Sequence, residues 1–459
     1  MTRKSAWRFS SAYFSWVCIV RVFSTAVALG WSVSAHSVDL LELYDQSLES
    51  DSRFLAARYS FESVSENVKL ARAQLLPSVG AYYEFENSNQ DIKQSDNDVF
   101  EQGSEDFDTK VYALELSQPI FRFGDWVRLS QAKLEVAQGL LEYTAAEQDL
   151  MLRLSQGYLG VLAAKDNLNY SSSEKLAVKR QLDLVSTRRE SGLATRTDLY
   201  DAQARYSLTV ANEIAAENRL EDAYRALAES TGRLHTNLEV LVEAITLRRP
   251  DPVDIDAWVK TALNQNLELQ VKERAVEIAD KERSVMQAGH YPTVDLVASF
   301  DNRDSDGSLF GGGSEVERTD IALRFELPIY QGGGVSASVR KAGKNASRAQ
   351  EERILQSRIV EREVRSAFLG VLSGIRRVEA LQESVNAQQA ALEAKQKGNL
   401  AGINTTLDVL DAERDLYYIR RDFAQARYDY LLSTLRLKRA AGSLAPVDLA
   451  WINSMLTAG

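Results

Sequence analysis

The sequence predicts a mainly helical, internally duplicated chain with four membrane β-strands, complete only when several copies join. Three observations predict it. A turn of 12 residues is written twice, two long tracts lack proline, and four short segments alternate apolar with charged residues and stand in pairs.

The repeated turn reads "SGLATRTDLYDA" at 191–202 and "AGINTTLDVLDA" at 401–412. Gly192/Gly402, Thr195/Thr405, Asp198/Asp408, Asp201/Asp411 and Ala202/Ala412 stand in register, 210 residues apart. The duplication extends further. "LLPSVGAYYEF" (75–85) pairs with "HYPTVDLVASF" (290–300), and "QPIFRFG" (118–124) pairs with "LPIYQGG" (327–333). From Pro119 to Gly192 is 73 residues and from Pro328 to Gly402 is 74, whereas Pro77 to Pro119 is 42 and Pro292 to Pro328 is 36. Packed helices keep their length from copy to copy, while surface loops absorb insertions. The two copies are expected at 36–245 and 246–459.

Before the first copy, Arg3, Lys4 and Arg8 precede an apolar run at 22–35 that ends in Val33-Ser34-Ala35. This pattern predicts a secretory signal over 1–35 and a mature start near His36. Arg21 interrupts the apolar stretch, so a membrane anchor is not expected. Cys18, the only cysteine, lacks the small residues that precede a lipidated one. Without this segment the net charge goes from −11 to −15, because it carries four positive charges and no negative one. So acidic a chain would meet phosphate with repulsion, which argues against nucleic acid as a partner. His36, His235 and His290 lie far apart, and no metal or cofactor is expected.

The seven prolines leave 120–249 and 329–445 free. Proline inside a helix costs about 3 kcal/mol, so these tracts predict long helices at about 126–190 and 195–230, and at about 335–400 and 405–440. The first spans roughly 90–100 Å at 1.5 Å per residue. Each returning helix covers about half that length, so the helices before the strands (about 53–76 and 265–290) are expected to stack on it end to end. Val364, Phe368, Val371, Ile375 and Val378 follow coiled-coil spacing, later diluted by Gln382 and Gln389. The join at about 231–256, with Pro250 and Pro252, predicts an irregular belt.

Strands are expected at about 79–87, 109–118, 293–301 and 319–327. In the last, Ile321, Leu323, Phe325 and Leu327 alternate with Asp320, Arg324 and Glu326. Each strand has one apolar and one charged face and a length suited to crossing a bilayer at a tilt. Phe121, Phe123, Trp126 and Tyr330 suit an interfacial girdle. Two hairpins of a soluble sandwich would alternate in the same way. Four strands cannot close a barrel; two chains would pool eight and three would pool twelve, with the helical arms forming a tube upon them.

Enzyme signatures are missing from the sequence. It has no H-E-x-x-H and no C-x-x-C, and "AGKNAS" (342–347) fails as a phosphate loop because Asn345 replaces Ser/Thr and Ser338 replaces the upstream glycine. The glycines of "LFGGGS" (309–314) and "QGGG" (331–334) read as a loop and a hinge. No enzyme is expected.

"ELPIYQGGGVSASV" (326–339), "TDLYDAQARYSLTVANE" (197–213), "LDVLDAERDLYY" (407–418) and "ARYDYL" (426–431), together with the duplication, resemble the TolC family of outer-membrane channel proteins over essentially the whole mature chain. The resemblance implies a homotrimer with a twelve-stranded barrel among the lipids of a Gram-negative outer membrane, continuous with a twelve-helix tube in the periplasm. It implies a periplasmic adaptor protein and an inner-membrane pump of RND, ABC or MFS type as partners, in drug efflux or type I protein secretion. A non-conducting coiled-coil spacer or adhesin of the envelope is the alternative. A charged strand face opposite an apolar one favours the duct.

The repeated turn then acquires roles. Gly192 and Gly402 supply the positive φ that a helix end needs. Thr195 with Asp198, and Thr405 with Asp408, read as capping boxes with Asp at the third position. Asp411 lies beyond the capping turn and shares a helix face with Asp408. The resemblance implies that Asp408 and Asp411 line the periplasmic constriction, that Thr197 and Asp198 belong to the gate, and that Gly192, Leu193, Gly402 and Ile403 form tip turns that dock the adaptor. In the best-known members a tyrosine and an arginine of the second turn tie it to the first. Asn399 and Asn404 stand at those positions here, so different partners are expected to hold the closed state. Arg188, Arg189 and Arg196 are candidate cations near Asp198 or Asp408.

Overall fold

The computed structural model describes residues 37–94, 103–307 and 312–457. The expected secretory segment, with Cys18 and His36, and part of the "LFGGGS" loop lie outside the described residues. The first copy runs α1 (Leu40–Ser50), α2 (Ser52–Ser65), α3 (Asn67–Ala73), β1 (Ser78–Ile92), β2 (Gly103–Arg122), α4 (Phe123–Glu190) and α5 (Arg196–Thr231). A short strand β3 (Val240–Leu241) follows. The second copy runs α6 (Ile255–Gln265), α7 (Leu267–Gln287), β4 (Thr293–Ser305), β5 (Ser314–Glu326), α8 (Gly334–Leu400) and α9 (Thr406–Ala440), closed by α10 (Pro446–Asn453) and β6 (Leu456–Thr457).

The 68 residues of α4 reach about 100 Å. Two shorter partners share its length. On the strand side, Phe61 and Val64 of α2 lie 3.5 Å from where a Cβ on Gly139 would be; on the far side, Leu227 of α5 covers Gly157. The partners meet where the Ser50 hydroxyl donates to the carbonyl of Ser230, 3.1 Å away. Asp51 ends α1 and caps α2 by accepting from Phe54 N at 2.8 Å. The second copy repeats this junction. Asn266 ends α6, caps α7, and donates to the carbonyl of Ala440 at 2.9 Å. Gly442, at φ +75°, must be glycine, because a Cβ there would sit 2.2 Å from the carbonyl oxygen of Gln265.

The apolar core gathers around these junctions. Leu150, Leu154 and Tyr158 of α4 pack with Leu43 of α1, Leu227 of α5 and Leu431 of α9. Each such side chain contributes about 1.5–3 kcal/mol on burial. The Tyr158 hydroxyl donates to the carbonyl of Glu239, which anchors the irregular 232–254 segment to α4. β3 pairs with β6 beside it. The predicted belt therefore also includes α1 and α10, joined through Asn453 and Asp39 at 2.9 Å. Farther out, the stripe from Val364 to Val378 is buried. Beyond it Arg420 donates to Gln389 at 2.8 Å, so the packing turns polar toward the α8–α9 turn.

The four long strands form one antiparallel sheet in the order β1-β2-β4-β5. Its register places Tyr83 beside Tyr112, Leu114 beside Phe300, and Leu296 beside Leu323. Val79, Tyr83 and Phe85 thus share a single apolar face with Leu114, Phe300 and Ile321. Glu115, Asp320 and Arg324 occupy the other face. The strands run farther than alternation predicts. Beyond Phe85 the ladder continues through polar pairs such as Asn87 with Asp108, 2.7 Å apart, which carry no periodic signal. β2 also passes through Pro119, although proline cannot donate to a ladder. A bulge between Pro119 and Phe121 accommodates it and turns Phe121 onto the face of Val294 and Phe325. Among the described residues the only other sheet is the β3–β6 pair, so the hairpins form no sandwich. No helix of the described residues is long and apolar enough to cross a membrane.

Candidate functional site

The two hairpin turns stand at the end of the helical arms far from the sheet, and their backbones are superimposable in kind. Gly192 and Gly402 both have φ +74°. Leu193 N donates to the carbonyl of Arg188, and Ile403 N to that of Gly398, each at 2.8 Å. This is the six-to-one bond of a Schellman ending, which needs the left-handed residue that glycine supplies. Leu193 and Ile403 then project outward, 78% and 81% exposed. Thr197 is exposed on the first turn of α5.

Both capping boxes are present. Asp198 Oδ2 accepts from Thr195 N and Oγ1, each at 2.8 Å, while Asp198 N donates to Thr195 Oγ1 at 3.1 Å. Asp408 Oδ2 accepts from Thr405 N at 2.8 Å and from Oγ1 at 2.6 Å. These bonds favour the charged form. The backbone N–H of Thr195 foremost, and then its hydroxyl, hold Asp198 below the usual carboxylate range. For Asp408 the Thr405 hydroxyl leads, followed by the backbone N–H. A depressed folded-state pKa adds stability above the unfolded value, about 3.9 for aspartate, which is lost as pH falls through the folded value. Hydrogen-exchange protection of the amides at 195–199 and 405–409, corrected for intrinsic rates, is therefore expected to hold from pH 7 to 5 and to fall below about pH 4. Asp198→Asn and Asp408→Asn should lower it at neutral pH and flatten the dependence. Unchanged protection in both variants would show that the boxes do not hold the turns.

Asp411, one turn along α9 from Asp408, accepts from Arg205 Nη1 of α5 at 2.8 Å and lies 3.3 Å from Arg414 Nη1. The cations beside Asp411 are thus Arg205 and Arg414, neither of which the sequence singles out. Arg188 lines a groove of about 520 Å³ between the two hairpins, together with Asp198, Leu193, Arg205 and Thr405. Asn399 and Asn404 point elsewhere: Asn399 Nδ2 donates to the carbonyl of Asn404 at 2.9 Å, and Asn404 Nδ2 to that of Lys395 at 3.4 Å. Both amides serve their own turn and tie nothing to the first one. Higher up, Glu213 of α5 accepts from Ser172 of α4 at 2.8 Å and pairs with Lys175, whose ammonium chiefly holds its carboxyl low. Burial pushes up Glu174 on α4 and Glu413 on α9.

A sequence model of the family described as "Outer membrane efflux protein" matches residues 43–233 and 258–443, one segment for each copy. The chain belongs to the outer membrane efflux protein family. This efflux-family chain is 31% identical over 434 residues to the outer membrane protein TolC of Vibrio cholerae, covering 94% of its own length and 97% of the relative's. It is 30% identical over 432 residues to the proteases secretion protein PrtF of Dickeya chrysanthemi, covering 92% of each. The crystal structure of the Campylobacter jejuni CmeC outer membrane channel superposes with a TM-score of 0.78 at 18% identity, over 91% of this chain and 90% of that one. The family consists of channel proteins, and this chain is an outer-membrane exit duct.

Proposed function

We propose that three copies pool their sheets into a twelve-stranded barrel and their helices into a twelve-helix periplasmic tube. The observation that carries this is the sheet itself: β1 and β5 each pair on one side only, and one face is apolar and exposed from Val79 to Phe325. A membrane tolerates no open strand edge, so β5 of one copy must meet β1 of the next. In mild detergent, native mass spectrometry should find a single species at three times the mature mass. A stable monomer or dimer would overturn the reading.

In this assembly Asp408 and Asp411 form two rings of carboxylates at the periplasmic entrance, Thr197 and Asp198 belong to its gate, and the turns at Gly192–Leu193 and Gly402–Ile403 dock a periplasmic adaptor. The duct works in a tripartite system with that adaptor and an inner-membrane pump, and the pump selects the cargo. Relatives named for protease secretion and for antibiotic efflux support both kinds of cargo. The chain itself acts as a passive conduit and performs no catalysis.

A further inference from the structure

We infer that Arg205 is a specificity-determining residue of the entrance: it neutralises Asp411, so that Asp408 alone sets the preference for cations while the hairpins pack as they do here. The inference rests on the reading that Asp408 and Asp411 line the constriction. Arg205 Nη1 lies 2.8 Å from Asp411 Oδ1. Arg414 approaches Asp411 at 3.3 Å but lies closer to Asp415, at 2.9 Å. Two guanidinium groups thus face two carboxylates, and the cluster carries no net charge. Asp408 is bonded by Thr405, whose donors are uncharged, so it keeps its full negative charge. Lys395 adds only a minor attraction there. Glu174, Asp198 and Asp201 border the same groove, together with Arg188 and Arg414, and Arg205 lies closer to Asp411 than Arg414 does.

The pair joins different hairpins, because Arg205 rides on α5 and Asp411 on α9. Their side chains are 39% and 35% exposed, and an ion pair this open to water shifts an equilibrium only about a few-fold. When the hairpins separate, Arg205 leaves with α5 and uncovers the second carboxylate ring. Rings of acidic side chains favour cations. The duct therefore becomes more cation-selective as it opens, and a charge carried by the first copy of the repeat controls a ring carried by the second.

The test is block by hexamminecobalt(III) in planar bilayers. Wild type, Arg205→Lys, Arg205→Gln, Asp408→Asn, Asp411→Asn and Arg205→Gln with Asp411→Asn would be compared, each first verified as the same oligomer. Arg205→Gln is expected to tighten block about 10-fold, and Arg205→Lys to keep the wild-type value. Asp408→Asn should weaken block more than about 10-fold, and Asp411→Asn, which leaves the Arg205 cation uncompensated, should weaken it about 10-fold as well. The double variant lacks the pair as Arg205→Gln does but uncovers no charge, so it should match wild type. That match separates the effect of charge from that of a looser gate. If Asp408→Asn weakens block but Arg205→Gln leaves it unchanged, the constriction stands and the role of Arg205 falls. If the double variant is blocked as weakly as Asp408→Asn, Asp411 contributed charge that Arg205 did not neutralise, and the inference is also overturned. If no variant alters block, the constriction lies elsewhere and both readings fail.

Discussion

Asp408→Asn combined with Asp411→Asn is expected to abolish cation selectivity and block by multivalent cations in planar bilayers. Asp408 is held ionised by Thr405, and Asp411 is ion-paired with Arg205. Unit charges about 6 Å apart in a water-like medium attract by about 0.7 kcal/mol. Three carboxylates around a trivalent cation therefore offer on the order of 6 kcal/mol before salt screening. Removing both rings should weaken half-block at least about 100-fold and bring the cation-to-anion permeability ratio toward about one. Unchanged selectivity and block would show that these aspartates only cap and solvate their helices.

Gly192→Leu and Gly402→Leu are each expected to reduce export about 10-fold or more while assembled channels remain in the membrane. At φ +74° a side chain costs roughly 1–2 kcal/mol of backbone strain. That is tolerable for a fold whose main core lies tens of ångströms away at the belt. Among the described residues, apart from the glycine's own chain neighbours, no atom lies within 4 Å of the added Cβ at either position. The obstruction is therefore felt only by another protein seated between Leu193 and Ile403. Export assays with membrane levels as control, and co-purification of the adaptor, read the effect. Normal export in both variants would remove the turns from the docking surface.

The helical arms and their turns were legible because a repeat in register, proline-free length and capping residues all state the same answer locally. The Thr195–Asp198 and Thr405–Asp408 boxes needed no tertiary information. The strand ends were not legible. Hydrophobic alternation marks only the lipid-facing band, whereas Asn87–Asp108 continues the ladder with polar pairs, and the bulge after Pro119 resets the parity that alternation relies on. The junction glycines had a signal that went unread: Gly192 to Gly232 and Gly402 to Gly442 are both 40 residues. Arg205 had a weaker one, seven residues after Asp198 and so on the same helix face. Its partner is 206 residues away, and no local pattern reports that. Asn399 and Asn404, where the sequence leads one to expect no tie across the entrance, bond within their own turn, because short side chains beside a tight turn find its carbonyls first.

The junctions at Ser50–Ser230 and Asn266–Ala440 have a mechanical consequence. α4 and α8 cross the belt unbroken, while the helices beside them end there. Each long helix is thus a lever pivoted at the belt, with an arm of about 50 Å from Tyr158 to the turn. A tilt of about ten degrees at that pivot sweeps the turn through about 9 Å, wide enough to move a side chain clear of the axis, and no helical hydrogen bond breaks because the adjoining pieces are already jointed.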